Sequence, residues 1–257
     1  MGHPALELKN KTAVVIGGTS GIGLTLALGL GIAGANVIPT GRRGDLVEST
    51  CEKLEQAGTR SLAVTSDVTN RDSLEMLLQT VTDRFGSVEI LVNCAGITKK
   101  TPTLDLSEAE WSDILQTNLT GTLLACQVFG RHMVERKYGR IVNTASLSSY
   151  VGLYQVAAYA ASKSGVLSLT KSLAVEWARK GVCVNALVPG VFRTALNSAL
   201  LDGTPRGQEF LMRTPMHRFG NVEELVGATV FLSSDAASYV TGQGIVVDGG
   251  FLASGVN

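Results

Sequence analysis

The sequence predicts an α/β fold: a doubly wound, mostly parallel sheet of seven strands with helices on both faces. Three observations predict it. Short β-branched runs alternate with longer helical stretches from one end of the chain to the other. A glycine-rich turn joins the first such run to the first helix. No internal repeat, low-complexity tract or linker divides the 257 residues. That length suits one such domain with a sizeable core, expected to span residues 1–257.

Thr12-Ala-Val-Val-Ile16 is an apolar run of the kind buried on both faces of a parallel sheet. Gly17-Gly-Thr-Ser-Gly21-Ile-Gly23 follows at once, and Leu24 to Ala33 reads as an apolar helix. Strand, glycine turn and helix in that order form the context of a Rossmann-type dinucleotide loop. Gly17 allows the tight turn, while Gly21 and Gly23 let the backbone approach a pyrophosphate and the helix pack on its strand. The helix N-terminus supplies amide donors for phosphate.

Asn36-Val-Ile-Pro-Thr40 reads as the second strand, with Pro39 awkward because it removes one ladder donor. It ends in Gly41-Arg42-Arg43. An NAD-binding fold places an acidic residue there for the ribose 2′-hydroxyl. Gly41 cannot serve, whereas Arg42 and Arg43 suit a 2′-phosphate, which favours NADP over the alternative NAD. Asp45 is expected to cap the next helix.

Leu62 to Ser66 reads as a third strand ending at Asp67 and Val68, and Arg71 to Phe85 as an amphipathic helix stopped by Gly86. Val88 to Asn93 is a fourth strand. Ser107 to Lys137 is helical, with a capping box at Ser107 and Glu110 and an interruption at Asn118-Leu-Thr-Gly121 that signals a kink or a function. Gly139 to Ser146, Val182 to Val188 and Gly244 to Asp248 complete the strands; Ala157 to Arg179 and Asn221 to Leu232 are helices. Ala195 to Phe219 breaks the rhythm. It follows a strand end, holds Pro205 and Pro215, and is read as a substrate lid at residues 195–219.

Composition excludes several classes. With 22 basic and 22 acidic residues and no charge run, nothing suggests a nucleic-acid surface. No apolar run reaches the roughly 18 residues of a membrane span, and the N-terminus lacks an apolar signal core. Cys51, Cys94, Cys126 and Cys183 are scattered, without a Cys-x-x-Cys, and are read as four buried free thiols in the cytoplasm. His3, His132 and His217 form no metal-ligand spacing, so no metal is expected.

The chemistry centres on Tyr159-Ala-Ala-Ser-Lys163. Residues four apart share a helix face. A phenol titrates near 10, and an ammonium one turn away is expected to lower that value, making Tyr159 a general acid/base. Ser146 lies thirteen residues earlier, at a strand end.

Together these motifs resemble the short-chain dehydrogenase/reductase family over about Leu8 to Gly250. The resemblance rests on Gly17-x-x-x-Gly21-Ile-Gly23, Asn93-Cys-Ala-Gly96, Asn118, Ser146, Tyr159-x-x-x-Lys163, Pro189-Gly190 through Thr194, and Val247-Asp-Gly-Gly250, in the family's order and spacing. Ile16 and Cys94 depart from it, standing where the family often has threonine and usually has asparagine. The resemblance implies a secondary alcohol and a ketone interconverted by hydride transfer. Tyr159 would move the proton, Lys163 would lower its pKa and hold the nicotinamide ribose, Ser146 would bond the substrate oxygen, and Asn118 would hold a relay water. Thr19, Ser20 and Ile22 would line the phosphates, with Asp67 and Val68 at the adenine. Asn93, Ala95, Gly96 and Thr144 would flank the ribose and nicotinamide, and Pro189, Gly190, Phe192 and Thr194 the carboxamide side.

Gly-Ile-Thr-Lys99-Lys100 resembles the family's sugar-acid branch, which includes gluconate 5-dehydrogenase and 2-deoxy-gluconate 3-dehydrogenase. Lys99, Lys100, Arg193 and Arg213 are then candidate partners for a substrate carboxylate, against the alternative of solvated loops. A 3-oxoacyl-carrier-protein reductase is the second enzyme reading. A nucleotide-sensing regulator ranks below both because Tyr159 and Lys163 are both present. The resemblance further implies pairing through the helical regions 107–137 and 157–179, giving a homodimer or homotetramer.

Overall fold

The computed structural model describes residues 3–194 and 198–255. Its strands are β1 (Thr12–Ile16), β2 (Asn36–Thr40), β3 (Ile90–Asn93), β4 (Gly139–Thr144), β5 (Val182–Pro189) and β6 (Gly244–Val247). Its helices are α1 (Gly21–Ile32), α2 (Gly44–Gln56), α3 (Arg71–Phe85), α4 (Glu108–Leu115), α5 (Gly121–Glu135), α6 (Ala157–Trp177), α7 (Ser198–Leu201), α8 (Pro205–Arg213) and α9 (Val226–Ser233). The strands pair in the order β2-β1-β3-β4-β5-β6, every pair parallel. The chain crosses from one side of β1 to the other between β2 and β3. That reversal opens a crevice at the carboxyl ends of the strands.

The sheet has six strands among the described residues, not the seven expected, and Pro39 accounts for the difference. Successive amides of a strand point to opposite sides. Asn36 donates inward to the Lys11 carbonyl, and Val37 donates outward to the Arg60 carbonyl at 3.0 Å. The next outward amide belongs to Pro39, which has no N–H. The 62–66 segment still runs beside β2, held by a bridge between Val37 and Ser61, by the Thr40 hydroxyl donating to the Val64 carbonyl at 2.7 Å, and by Ser66 N donating to the Gly41 carbonyl. It does not form a ladder.

Alternate residues of each strand feed separate cores. Val14, Ile16, Leu91, Ile141 and Val184 face one layer with Leu74 and Leu77 of α3 and Phe129 and Met133 of α5. Ala13, Val15, Ile90, Val92 and Leu187 face the other with Leu26 and Leu30 of α1 and Leu232 of α9.

The helix ends match their sequence signals with two exceptions. One is the capping box expected at Ser107 and Glu110: Ser107 accepts from Glu110 N, but the Glu110 carboxylate bonds Lys99 and Thr101 instead of the Ser107 amide. The Asn70 side chain caps α3 by accepting from Ser73 N, and Gly86 closes it at φ 85°. Asp45 was expected to cap α2, but Arg43 occupies the cap position and Asp45 lies in the first turn. There its charge meets the positive helix end without a capping bond. The expected helical region 107–137 is α4 and α5 joined by a π-helical turn at Gln116–Thr120. That turn is the interruption read at Asn118, and it buries Asn118 completely. Val88 N donates to His132 Nε2 at 3.2 Å, a structural role.

Residues 195–197 of the expected lid lie outside the described residues. The rest is more regular than a loop. Thr204 caps α8 by accepting from Gly207 N, with Pro205 in its first turn. That threonine-proline pair is a helix-start signal which the sequence reading had passed over.

Candidate active site

The glycine loop crosses the carboxyl ends of β1 and β3. Gly17 has φ 77°, and a methyl group there would fall 2.6 Å from the Ala95 nitrogen. Only glycine meets both demands. Gly21, at φ 51°, opens α1 and faces free space. Ser20 precedes it with its side chain making no capping bond. This loop presents backbone donors at a helix N-terminus, the arrangement a pyrophosphate requires. Arg42 and Arg43 stand exposed at the end of β2, and neither forms an ion pair among the described residues. Asp67 accepts from the amide and hydroxyl of Thr69, which hold its carboxyl below the usual range. Val68 is largely buried, its side chain lying against Gly121.

The residues expected to react converge from the end of β4, the π turn and α6. Lys163 is 5% exposed, and its Nζ donates to the Thr144 carbonyl at 2.7 Å. Burial pulls its pKa down to about 8. The same Nζ lies 5.8 Å from the Tyr159 ring centre and 3.5 Å from where a methyl group on Gly96 would sit. Tyr159 is half-buried, with the Ser146 hydroxyl as hydrogen-bond partner. The lowered phenol pKa expected from Lys163 is not what the geometry gives. Burial pushes the phenol up, the Ser146 bond offsets part of that, and the lysine is itself desolvated and turned to Thr144.

Asn118 works as a clamp. Its Nδ2 donates to the Ile97 carbonyl (2.9 Å) and to Ser162 Oγ (3.0 Å), and its Oδ1 accepts from Ile97 N (2.8 Å). Its main-chain carbonyl accepts from Thr122 Oγ1 at 2.7 Å. Asn93 donates to Asn143 Oδ1 at 2.8 Å while its own Oδ1 is buried with no hydrogen-bond partner. Cys94 is half-buried rather than fully buried as expected, and burial raises its thiol pKa.

A family model described as enoyl-(acyl carrier protein) reductase matches residues 17–252. Gluconate 5-dehydrogenase of Gluconobacter oxydans (strain 621H) is 39% identical over 255 residues, covering 99% of this chain and 100% of that protein. A crystal structure of a gluconate 5-dehydrogenase from Burkholderia cenocepacia J2315, in complex with NADP and tartrate, superposes with a TM-score of 0.94. Its identity is 35%, covering 97% of this chain and 98% of that one. A 3-oxoacyl-[acyl-carrier-protein] reductase of Staphylococcus epidermidis is 37% identical, covering 94% of this chain and 98% of its own length. The chain belongs to the short-chain dehydrogenase/reductase family. Membership makes it an oxidoreductase, and the structure brings Ser146, Tyr159 and Lys163 together in one place.

The four basic residues expected near the substrate are not equivalent. Lys99 pairs with Glu110 at 2.6 Å, Arg193 donates to both oxygens of Asp202 at 2.9 and 3.0 Å, and Arg213 pairs with Glu209 of its own helix at 3.1 Å. Lys100 has no carboxylate partner among the described residues; its Nζ lies 6.0 Å from the Tyr154 ring centre. A cavity of about 520 Å³ lies between residues 151–153, the end of α8 and the C-terminal segment, and Arg213 is its one charged lining residue among the described residues. Gly190 N donates to the Val247 carbonyl, joining the end of β5 to β6. The Phe192 ring is turned into the core against Gly220, so only its backbone can face a ligand. Gly41 lies close to the Thr19 hydroxyl at the foot of the glycine loop. The sequence reading had assigned no role in this site to Thr101, Tyr154, Gln155 or Ser162. Only the placement of Gln155 at φ 61°, uncommon for a residue with a side chain, marks one of them as special, and no sequence signal carries that.

A Lys163 value near 8 lies below the ordinary 10.5, so the unfolded chain holds more protons between those limits. Stability contributed by this group therefore rises as pH increases through that window. The unfolding free energy of the ligand-free protein, less that of Lys163→Met, should climb by about 1–2 kcal/mol between pH 8 and 9.5 in urea titrations. A flat or falling difference would contradict the buried ammonium.

Proposed function

We propose that the protein interconverts a keto sugar acid and its hydroxy acid, of the gluconate class, using NADP(H). The observation that carries this reading is Lys100. It lies four residues beyond Gly96, at the substrate end of the nicotinamide wall, and is the basic residue of its loop that no carboxylate neutralises among the described residues. A sugar acid supplies that carboxylate. The gluconate 5-dehydrogenase relatives support the class, and the tartrate of the Burkholderia complex is itself a hydroxy acid. The acyl-carrier-protein relative supports a different carbonyl substrate on the same centre.

The nucleotide fits the residues present. The open Gly21 turn and the helix N-terminus would hold the pyrophosphate, with Thr19, Ser20 and Ile22 around it, and Arg42 and Arg43 would hold the 2′-phosphate. Asp67 and Val68 would border the adenine. Asn93, Ala95, Gly96 and Thr144 would border the ribose and nicotinamide, with Pro189, Gly190, the Phe192 backbone and Thr194 beyond. The bound nicotinamide supplies or accepts the hydride. In reduction, Tyr159 gives its phenolic proton to the carbonyl oxygen while Ser146 donates a hydrogen bond to it. Lys163 holds the ribose side and stabilises the phenolate that remains, and Asn118 keeps the wall at Ile97 in place beside it. The chain is taken as one catalytic domain with α7 and α8 as its lid.

Steady-state reduction with NADPH should favour keto sugar acids over uncharged keto sugars and acyl thioesters. Tyr159→Phe should lose at least about a hundredfold in kcat while NADPH affinity stays within about twofold. Preference for acyl thioesters would transfer the reading to the acyl reductase class, and a Phe variant turning over within a few-fold would refute the proton assignment.

Replacing Arg42 and Arg43 together by alanine should weaken NADPH roughly ten- to hundredfold and leave NADH nearly unchanged. Titration of intrinsic fluorescence reads both. A parent protein that binds NADH more tightly than NADPH would remove the 2′-phosphate assignment.

Assembly and location complete the proposal. Exposed apolar side chains on the helical regions expected to pair, Trp111 on α4 and Val175 on α6, support a homodimer or homotetramer. Four free cysteines support the cytoplasm. Light scattering at micromolar concentration should give a mass at least twice that of the 27.0 kDa chain, and a purely monomeric signal would refute it.

A further inference from the structure

Glu110 does not do what its position in the sequence suggests. Three residues after Ser107, its carboxylate should turn back on the Ser107 amide to complete a capping box. The Ser107 hydroxyl does accept from Glu110 N at 3.2 Å, but the Glu110 carboxylate points elsewhere. Oε2 accepts from Lys99 Nζ and Oε1 from Thr101 Oγ1, each at 2.6 Å. The glutamate side chain is 12% exposed, whereas that of Lys99 is 68% exposed. A nearly covered carboxylate thus holds the residues on either side of Lys100.

The rest of this loop is tied down with the same alternation. Ile97 is held through both its N–H and its carbonyl by Asn118. Thr101 N donates to the Gln155 carbonyl at 2.9 Å. Gln155 reaches it from a left-handed conformation that costs energy in a residue with a side chain. Residues 97, 99 and 101 are therefore anchored, and the side chains of residues 98 and 100 between them take no part in those bonds. Lys100 is the charged one, and it stands by Tyr154, the neighbour of Gln155. Arg206 of α8 donates to the Tyr154 carbonyl at 3.2 Å, which joins the lid to the same spot.

We propose that Glu110 is a positioning residue for substrate charge: by binding Lys99 and Thr101 it withdraws one lysine from the site and aims Lys100 at the carboxylate of the substrate. The inference deepens the sugar-acid reading and rests on it. It explains why two adjacent lysines do not act as a diffuse basic patch. One is neutralised on the helix, and the other is left as the single directed cation of the loop.

The test is a double-mutant cycle between Glu110→Gln and Lys100→Gln, read as kcat and KM for 5-keto-D-gluconate and for an uncharged keto hexose, with NADPH affinity measured alongside. Each single variant should raise KM for the acid roughly five- to tenfold, with kcat and NADPH affinity within about twofold and the neutral sugar unaffected. In the Lys100→Gln background, Glu110→Gln should add less than about twofold, because its effect passes through Lys100. Thr101→Val, which removes one of the two contacts, should move KM the same way by less, and it serves if Glu110→Gln folds poorly. Equal losses for acid and neutral sugar, full additivity, or tighter binding of the acid once Lys99 is released would each overturn the proposal. An effect of Lys100→Gln without one of Glu110→Gln overturns this inference alone. No effect of Lys100→Gln on the acid overturns both this inference and the sugar-acid reading.

Discussion

A buried ammonium governs the architecture around the candidate active site. Lys163 carries its Nζ into a site where burial costs its charge heavily, and the Thr144 carbonyl is the hydrogen-bond acceptor that meets it at 2.7 Å. No carboxylate pairs with it among the described residues. A charge so weakly compensated persists only if the surrounding structure holds its acceptor firmly. The end of β4 and the first turns of α6 must therefore keep a fixed separation.

Buried polar side chains supply that fixity. Asn143, one residue before Thr144, donates to Thr170 Oγ1 at 3.0 Å. Thr170 lies seven residues beyond Lys163, two turns along the same helix face. Asn93 pairs with Asn143 across the β3–β4 register, and Cys126 of α5 lies against both amides. On the other side, Asn118 joins the loop after β3 to Ser162, next to Lys163. The π turn at Gln116–Thr120 is where Asn118 enters this arrangement, fully buried, which gives a physical reason for an interruption that a helix of this length would otherwise avoid. Strand, helix and loop thus meet through side-chain amides, and each amide is satisfied at close to its capacity except Asn93, whose Oδ1 has no hydrogen-bond partner.

Local sequence carried much of this. Apolar runs, glycine spacing and helix-end residues located the strands, the nucleotide loop and the Tyr159–Lys163 helix, because each depends on neighbours within a few positions. The misreadings share a cause. The third strand failed because Pro39, one strand away, withholds the donor it needed. The Tyr159 pKa was judged from one neighbouring charge, but burial from the whole fold outweighs it. Lys99 and Lys100 were indistinguishable in sequence because Glu110, which separates them, reads equally well as a helix cap. Arg193 pairs with Asp202, nine residues away across the lid, a partner its own neighbourhood in the sequence does not single out. Each error concerns which of several local options the tertiary structure selects.

The opposed shifts in the centre have a common consequence on the proposed assignment. Burial raises the phenol of Tyr159 and lowers the ammonium of Lys163, so both effects disfavour the charged form. Near neutrality the phenol is protonated, and Lys163, with a value of about 8, is mostly protonated as well. The ligand-free cleft is therefore set to donate a proton, which is what carbonyl reduction requires of Tyr159. Alcohol oxidation needs the phenolate, and the same burial opposes it. Any group that brings positive charge beside Tyr159, or that replaces the water lost on burial with hydrogen bonds to the phenolate, shifts the balance toward oxidation. Ser146 already contributes a bond of that second kind. The protonation state from which this centre starts is thus a matter of electrostatic environment as well as of which residues are present.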